Sequence, residues 1–360
     1  MDIFTILQEA VIKGASDIHL APNRPPMMRV KGEIQKIADL PPLTAEDSKS
    51  LIYGILYDDQ KLKFEENLEL DCSYFIPNLS RFRVNVHMQK DGVAAVLRVI
   101  QAKIPSPDDI GLEESIIEVT NLPRGLVLVT GPTGSGKSTT LACLIDIINR
   151  KRREHILTIE DPIEFVYENK NCIITQREIG SQSKSFANAL RTALRQDPDV
   201  ILVGEMRDLE TISLALTVTE TGHLVFGTLH TTDAPKTVDR IVDVFPPYQQ
   251  QQIRTQLSVS LKAVICQTLL PTKDGAGRVA AREIMIVTPA IGNLIREGKT
   301  HQIYNAIDTG SKLGMKSMDR SLAQLVREGK ISMEDAEAKA NDVNMLSNFV
   351  HMQEPAGYIS

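Results

Sequence analysis

The sequence contains no tryptophan, and aromatic residues make up only 4% of its 360 positions. Stacking platforms for single-stranded nucleic acid need aromatics, so that class of binder is disfavoured. Positive charge is not in excess either: 40 lysines and arginines face 46 acids, for a net charge of −6. Non-specific attraction to a phosphate backbone is correspondingly weak, which argues against a DNA motor and against a nucleic-acid partner. The four cysteines (Cys72, Cys143, Cys172 and Cys266) lie far apart with no CxxC pair, so neither a zinc cluster nor a disulfide framework is expected. No stretch approaches 18 consecutive apolar residues, which excludes a membrane-spanning helix. The start, MDIFTILQEAVIKG, has no basic region and no small-residue cleavage site, so the chain is expected to stay in the cytoplasm.

At this length two domains are the default. Residues 2–14 carry apolar positions at helical spacing, closed by Gly14. Strands follow at Asp17–Leu20, Met28–Val30 and Glu33–Ile37, the last two around Lys31-Gly32. Thr44-Ala-Glu-Asp opens a helix expected to reach about Tyr57. Alternating segments at 69–76, 81–89 and 93–100 complete a compact α+β domain over residues 1–100. The proline-bearing stretch that follows predicts a linker over 101–112. From there the pattern changes. Apolar runs at Leu126–Thr130, Ile156–Ile159, Val200–Val203 and Leu224–Leu229 alternate with helical stretches, which predicts a parallel sheet flanked by helices across 113–288. Residues 289–360 read as helices with stops at Gly298, Gly310 and Gly329, the last twenty forming a loose tail.

Gly131-Pro132-Thr133-Gly134-Ser135-Gly136-Lys137-Ser138 fits G-x-x-x-x-G-K-[ST] in full, between the strand GLVLVT and a helix that begins with Ser138, Thr139 and Thr140. That context predicts ATP bound with Mg²⁺. Backbone N–H groups would curl round the β-phosphate, Lys137 would neutralise phosphate oxygens, and the Ser138 hydroxyl would ligate the metal. Asp197-Pro-Asp-Val-Ile-Leu-Val-Gly204-Glu205 is an apolar strand ending in an acid. Gly204 occupies the position of the usual first carboxylate, so Glu205 alone would serve Mg²⁺ directly or through water. Thr158-Ile-Glu160-Asp161-Pro-Ile-Glu164 offers two candidates for the general base, Glu160 and Glu164. His230 closes a fourth strand among hydroxyl neighbours, where a γ-phosphate sensor is expected, whereas His223 by itself reads as an ordinary histidine.

Taken together, SDIHL, TIEDPIE, GEMRD and TGHLVFGTLHT resemble the secretion and type IV pilus ATPases over nearly the whole chain. The resemblance implies a RecA-like P-loop ATPase domain preceded by a smaller PAS-like α+β domain, assembled as a homohexamer that hydrolyses ATP. It names TIEDPIE an Asp box and TGHLVFGTLHT a His box, so Glu160, Asp161, Glu164, His223 and His230 inherit those roles by position. It also implies work at the cytoplasmic face of the inner membrane, on a pilus platform protein, with contact to the membrane only through partners. Within the family the chain looks most like the pilus-retraction members: the lead before SDIHL is short, no tetracysteine element follows the His box, and AIGNLIREGK matches their AIRNLIREGK, with Gly292 in place of arginine. The alternative is an extension or type II secretion ATPase. Arginine fingers are sought at Arg81 and Arg83, which alternate on one strand face, with Arg191, Arg195 and Arg207 as weaker candidates.

Overall fold

The computed structural model describes residues 2–30, 32–77, 79–100 and 104–352. The chain forms two compact units, one of the residues up to 103 with Glu164–Val166, the other of the remainder.

The first unit opens with helix α1 (Ile3–Ile12), whose N-terminal amides are capped by Asp2. Strands β1 (Asp17–Leu20), β2 (Met27–Val30) and β3 (Glu33–Lys36) precede helices α2 (Ala45–Tyr53) and α3 (Asp58–Asn67), and β4 (Glu69–Ile76), β5 (Ser80–Gln89) and β6 (Gly92–Ile100) follow. They make an antiparallel sheet ordered β3-β2-β1-β6-β5-β4. Alternation along β5 buries Phe82, Val84 and Val86 against Ile6, Leu7, Ile52 and Phe64. Asp17 of the SDIHL stretch is buried and accepts from Arg98 Nε at 2.9 Å, so its role is to hold β1 beside β6. The helix expected to run from Thr44 to Tyr57 stops at Tyr53, with Gly54 as its C-cap. Tyr57 instead starts α3, its N–H donating to Gln60 Oε1 at 3.0 Å. Helix α3 buries only Phe64, so it leaves no apolar periodicity to read.

The second unit contains α4 (Glu114–Ile117), β7 (Gly125–Thr130), α5 (Lys137–Lys151), β8 (His155–Glu160), β9 (Ile173–Glu178), α6 (Phe186–Ala193) and β10 (Val200–Val203). It continues with α7 (Leu209–Glu220), β11 (Leu224–Leu229), α8 (Ala234–Asp243), α9 (Pro247–Ser260), β12 (Leu261–Pro271) and β13 (Arg278–Ile286). Helices α10 (Pro289–Arg296), α11 (Ile303–Thr309), α12 (Met318–Arg327), α13 (Met333–Glu337) and α14 (Val343–His351) close it. The sheet runs β13-β12-β7-β11-β10-β8-β9, parallel except for the β12–β13 pair. Numbering β7, β8, β10, β11 and β12 as first to fifth, their order is fifth-first-fourth-third-second, so β11 stands between the strand that feeds the glycine-rich loop and the strand that ends at Glu205. Strands β7, β10 and β11 are buried at every position, as a sheet covered on both faces requires.

Three strands, β9, β12 and β13, were not expected from sequence. The tail also differs, because α14 packs Leu346 and Phe349 against Leu322 of α12 and Arg320 lies over the Phe349 ring at 4.9 Å. Residues 353–360 of the expected tail, and 101–103 of the expected linker, lie outside the described residues. Among the described residues no helix is long and apolar enough to cross a membrane.

Candidate nucleotide-binding site

The buried strand β7 delivers the chain to Gly131 at the carboxyl end of the sheet, and α5 leaves from Lys137. Gly131 (φ +138°) and Gly136 (φ +86°) hold backbone geometry that side chains disfavour. Space forbids one too, since a Cβ on Gly131 would lie 2.2 Å from the Gln267 carbonyl oxygen. Pro132, Thr133 and Gly134 form the exposed crest, Ser135 is buried beneath it, and Ser138 and Thr139 are half-buried on the first turn of α5. Lys137 Nζ donates to the carbonyls of Gly131 (2.9 Å) and Pro132 (3.0 Å), so the cation is held over the loop.

Two observations fit this loop to an anion. The α5 N-cap is Gly136, with no side chain to accept from the first-turn amides. Ser135 Oγ is buried and has no hydrogen-bond partner among the described residues. Beside the loop opens a cavity of about 590 Å³, walled by Thr139 and Thr140 from α5, Leu269 from β12, Arg278 from β13, and Gln324 and Glu328 from the α12 end. A volume of that order suits a nucleoside.

The second cluster sits at the ends of β10 and β11. Glu205 Oε1 accepts from His230 Nε2 at 2.7 Å and from Arg207 Nε. That carboxylate is the first cause of the raised Arg207 pKa, with a smaller contribution from Asp161. Gly204 has a steric reason to be glycine: a Cβ there would lie 3.1 Å from the Ile159 carbonyl oxygen and 3.2 Å from Glu160 Cα. A carboxylate-bearing residue at 204 would press on β8, so the acid stands one position later.

Glu160 ends β8 nearly buried, accepting from Thr158 Oγ1 at 2.7 Å and from Gln176 Nε2 at 3.4 Å. Glu164 is exposed. His223 lies at the opposite end of β11 from His230, with Nδ1 near the Val218 carbonyl at 3.1 Å and Thr221 Oγ1 at 3.0 Å. Seven residue steps along β11 separate the two histidines, roughly 23 Å. In the first unit Arg81 is half-buried, with Nη2 donating to Ser73 Oγ at 2.7 Å, while Arg83 is exposed on the same face of β5. Arg191 pairs with Glu210 and Asn188 on the surface. Gln267, Leu269 and Arg278 were not among the expected site residues, because the hairpin that carries them was not expected. The signal was present, in two mostly apolar runs of strand length joined across Asp274-Gly275.

Sheet order and loop chemistry together place the chain among the RecA-like P-loop ATPases. More narrowly, the chain belongs to the family described as type II/IV secretion system protein, which matches residues 1–338. It is 56% identical over 340 residues to the type IV pilus retraction ATPase PilT of Pseudomonas aeruginosa, covering 94% of this chain and 98% of that protein. To the twitching motility protein of Neisseria gonorrhoeae it is 53% identical over 322 residues, covering 89% and 86%. A crystal structure of the pilus retraction motor PilT with bound ADP superposes with a TM-score of 0.91 at 48% identity, covering 97% of this chain and 99% of that one.

Proposed function

We propose that the chain is the ATP-hydrolysing motor of type IV pilus retraction and twitching motility. It works as a homohexamer in the cytoplasm, at the inner-membrane face, against a pilus platform protein. The observation that carries this reading is the whole-length likeness to proteins named for that work. The functional divisions are a PAS-like domain to residue 100, a linker to 112, an ATPase core to 288 and a helical segment beyond.

ATP phosphates are cradled by the amides of the 131–137 loop, with Lys137 as counter-charge and Thr139 flanking them. The Ser138 hydroxyl, and Glu205 directly or through water, would hold a Mg²⁺ ion, which would supply positive charge against the phosphates. The donor set suits it: these are oxygen ligands, and among the described residues no group of three or more His, Cys, Asp or Glu forms a protein cage for a metal. A glutamate of the Asp box, Glu160 or Glu164, takes the proton of the attacking water. Arg81 and Arg83 serve a neighbouring subunit's nucleotide, stabilising charge as it develops. His230 reports the state of the site. Its partner Glu205 Oε1 cannot serve the metal shell and hold both His230 and Arg207 fully, so occupancy of the site loosens the histidine. Four residues on, the amide of Ala234 opens α8, and that helix carries the change outward.

The test is made in cells. A strain lacking its own copy should keep pili but lose retraction, and this chain should restore it where the Lys137→Ala variant does not. If loss of the gene removes pili altogether, the extension or type II secretion reading replaces this one.

A further inference from the structure

Behind the phosphate loop, β12 presents a nearly buried side chain at the inner wall of the cavity beside the loop. Gln267 is only 3% exposed. Cys266 pairs with Thr130 in the parallel register, so Gln267 stands level with the start of the loop. Its Oε1 accepts from Thr140 Oγ1 at 2.8 Å, and its Nε2 donates to the Ser135 carbonyl. Its own carbonyl oxygen fills the space beside Gly131, and its Nε2 lies 2.8 Å from where a Gly136 Cβ would be. One residue therefore contacts the beginning, the middle and the end of the loop, and the first turn of α5.

The Ser135 carbonyl and the Gly136 N–H belong to one peptide plane, so they point in opposite directions. Pinning that oxygen to the back of the loop turns the Gly136 N–H to the front, where a phosphate binds. Without the pin, the neighbouring glycine makes rotation of this plane cheap, and a rotated plane would aim a carbonyl oxygen at the anion. An uncharged amide with both halves satisfied fixes the plane without competing for phosphate.

We infer that Gln267 is a positioning residue that sets the Ser135–Gly136 peptide for phosphate, and that the affinity contributed by the β-phosphate depends on it. This rests on the nucleotide-site reading above. The experiment is calorimetric titration of the full-length protein with AMP and with ADP, which separates nucleoside binding from β-phosphate binding. Gln267→Met keeps the volume and removes both bonds. Its preference for ADP over AMP should fall by about 10- to 100-fold, the scale set by misplacement of a binding group, with AMP affinity unchanged within about threefold. Should Gln267→Met not fold, Gln267→Glu retains the Thr140 contact, lacks the donor and should lose the preference likewise. A wild-type ADP-to-AMP ratio in either position-267 variant overturns the inference, because a merely structural residue would weaken both ligands together. Equal binding of AMP and ADP by the unmodified protein would instead sink the nucleotide-site reading on which the inference rests.

Discussion

Glu283 gives the ATPase unit a pH dependence that can be calculated in advance. It lies on β13, wholly buried, with Oε1 accepting from the Ala234 N–H at 2.7 Å. Burial pushes its pKa up from 4.5 to about 7, the Ala234 hydrogen bond opposes this, and the charge of Asp233 adds to it, with Asp319 contributing less. A folded state that keeps its proton longer than the unfolded chain is most favoured below pH 4.5. It loses that advantage as pH rises through about 7. At about 1.4 kcal/mol per pH step the difference amounts to about 3 kcal/mol, most of it lost between pH 5 and pH 8. Glu283→Gln preserves the acceptor for Ala234 and never ionises. Urea unfolding followed by circular dichroism at pH 5, 6, 7 and 8 should show the variant gaining about 2–3 kcal/mol on the wild type across that range. Asp319 and Asp239, whose pKa values are also raised chiefly by burial, titrate in both proteins and cancel. Parallel curves for the two proteins would refute the reasoning.

Gly204→Asp, which restores the customary acid at the end of β10, should cost about 1–3 kcal/mol by pressing on β8, read as a lower melting temperature; an unchanged melting point would show the contact to be slack. Glu205→Gln should bind ADP and fail to turn over ATP; loss of ADP binding would make Glu205 a structural residue. Arg81→Ala and Arg83→Ala should lower kcat, by as much as about 10³-fold, with nucleotide affinity little changed. Mixed with Glu205→Gln protein, they should recover activity, because an intact finger then meets an intact loop. A mixture that stays inactive while subunits exchange would confine the arginines to their own subunit.

How much of this was legible in the sequence depended on whether local chemistry announced itself. The loop from Gly131 to Ser138 was readable because phosphate binding needs glycines, a lysine and a hydroxyl at fixed spacing between a strand and a helix. The strands β7, β8, β10 and β11 were readable because burial on both faces leaves continuous apolar runs. Helix α3 was not, since it buries one side chain. The β12–β13 hairpin was missed for a different reason: α9 passes into β12 at Ser260-Leu261 with no glycine or proline between them, so two periodicities merge. With the hairpin went Gln267, Leu269 and Arg278, the walls of the cavity beside the loop. The hydrogen-bonded trio of Glu205, His230 and Arg207 was foreseen as separate residues, but its joining depends on β10 and β11 being neighbours, which no local pattern encodes.

Whether this loop hydrolyses ATP is read from phosphate release by the purified protein. Wild type and Lys137→Ala should be assayed side by side with Mg²⁺ and saturating ATP. Lys137→Ala removes the ammonium held over the loop, the counter-charge proposed for the phosphates. The wild type should turn over ATP steadily and the variant almost not at all; equal turnover by the two would show that the loop is not the hydrolytic site.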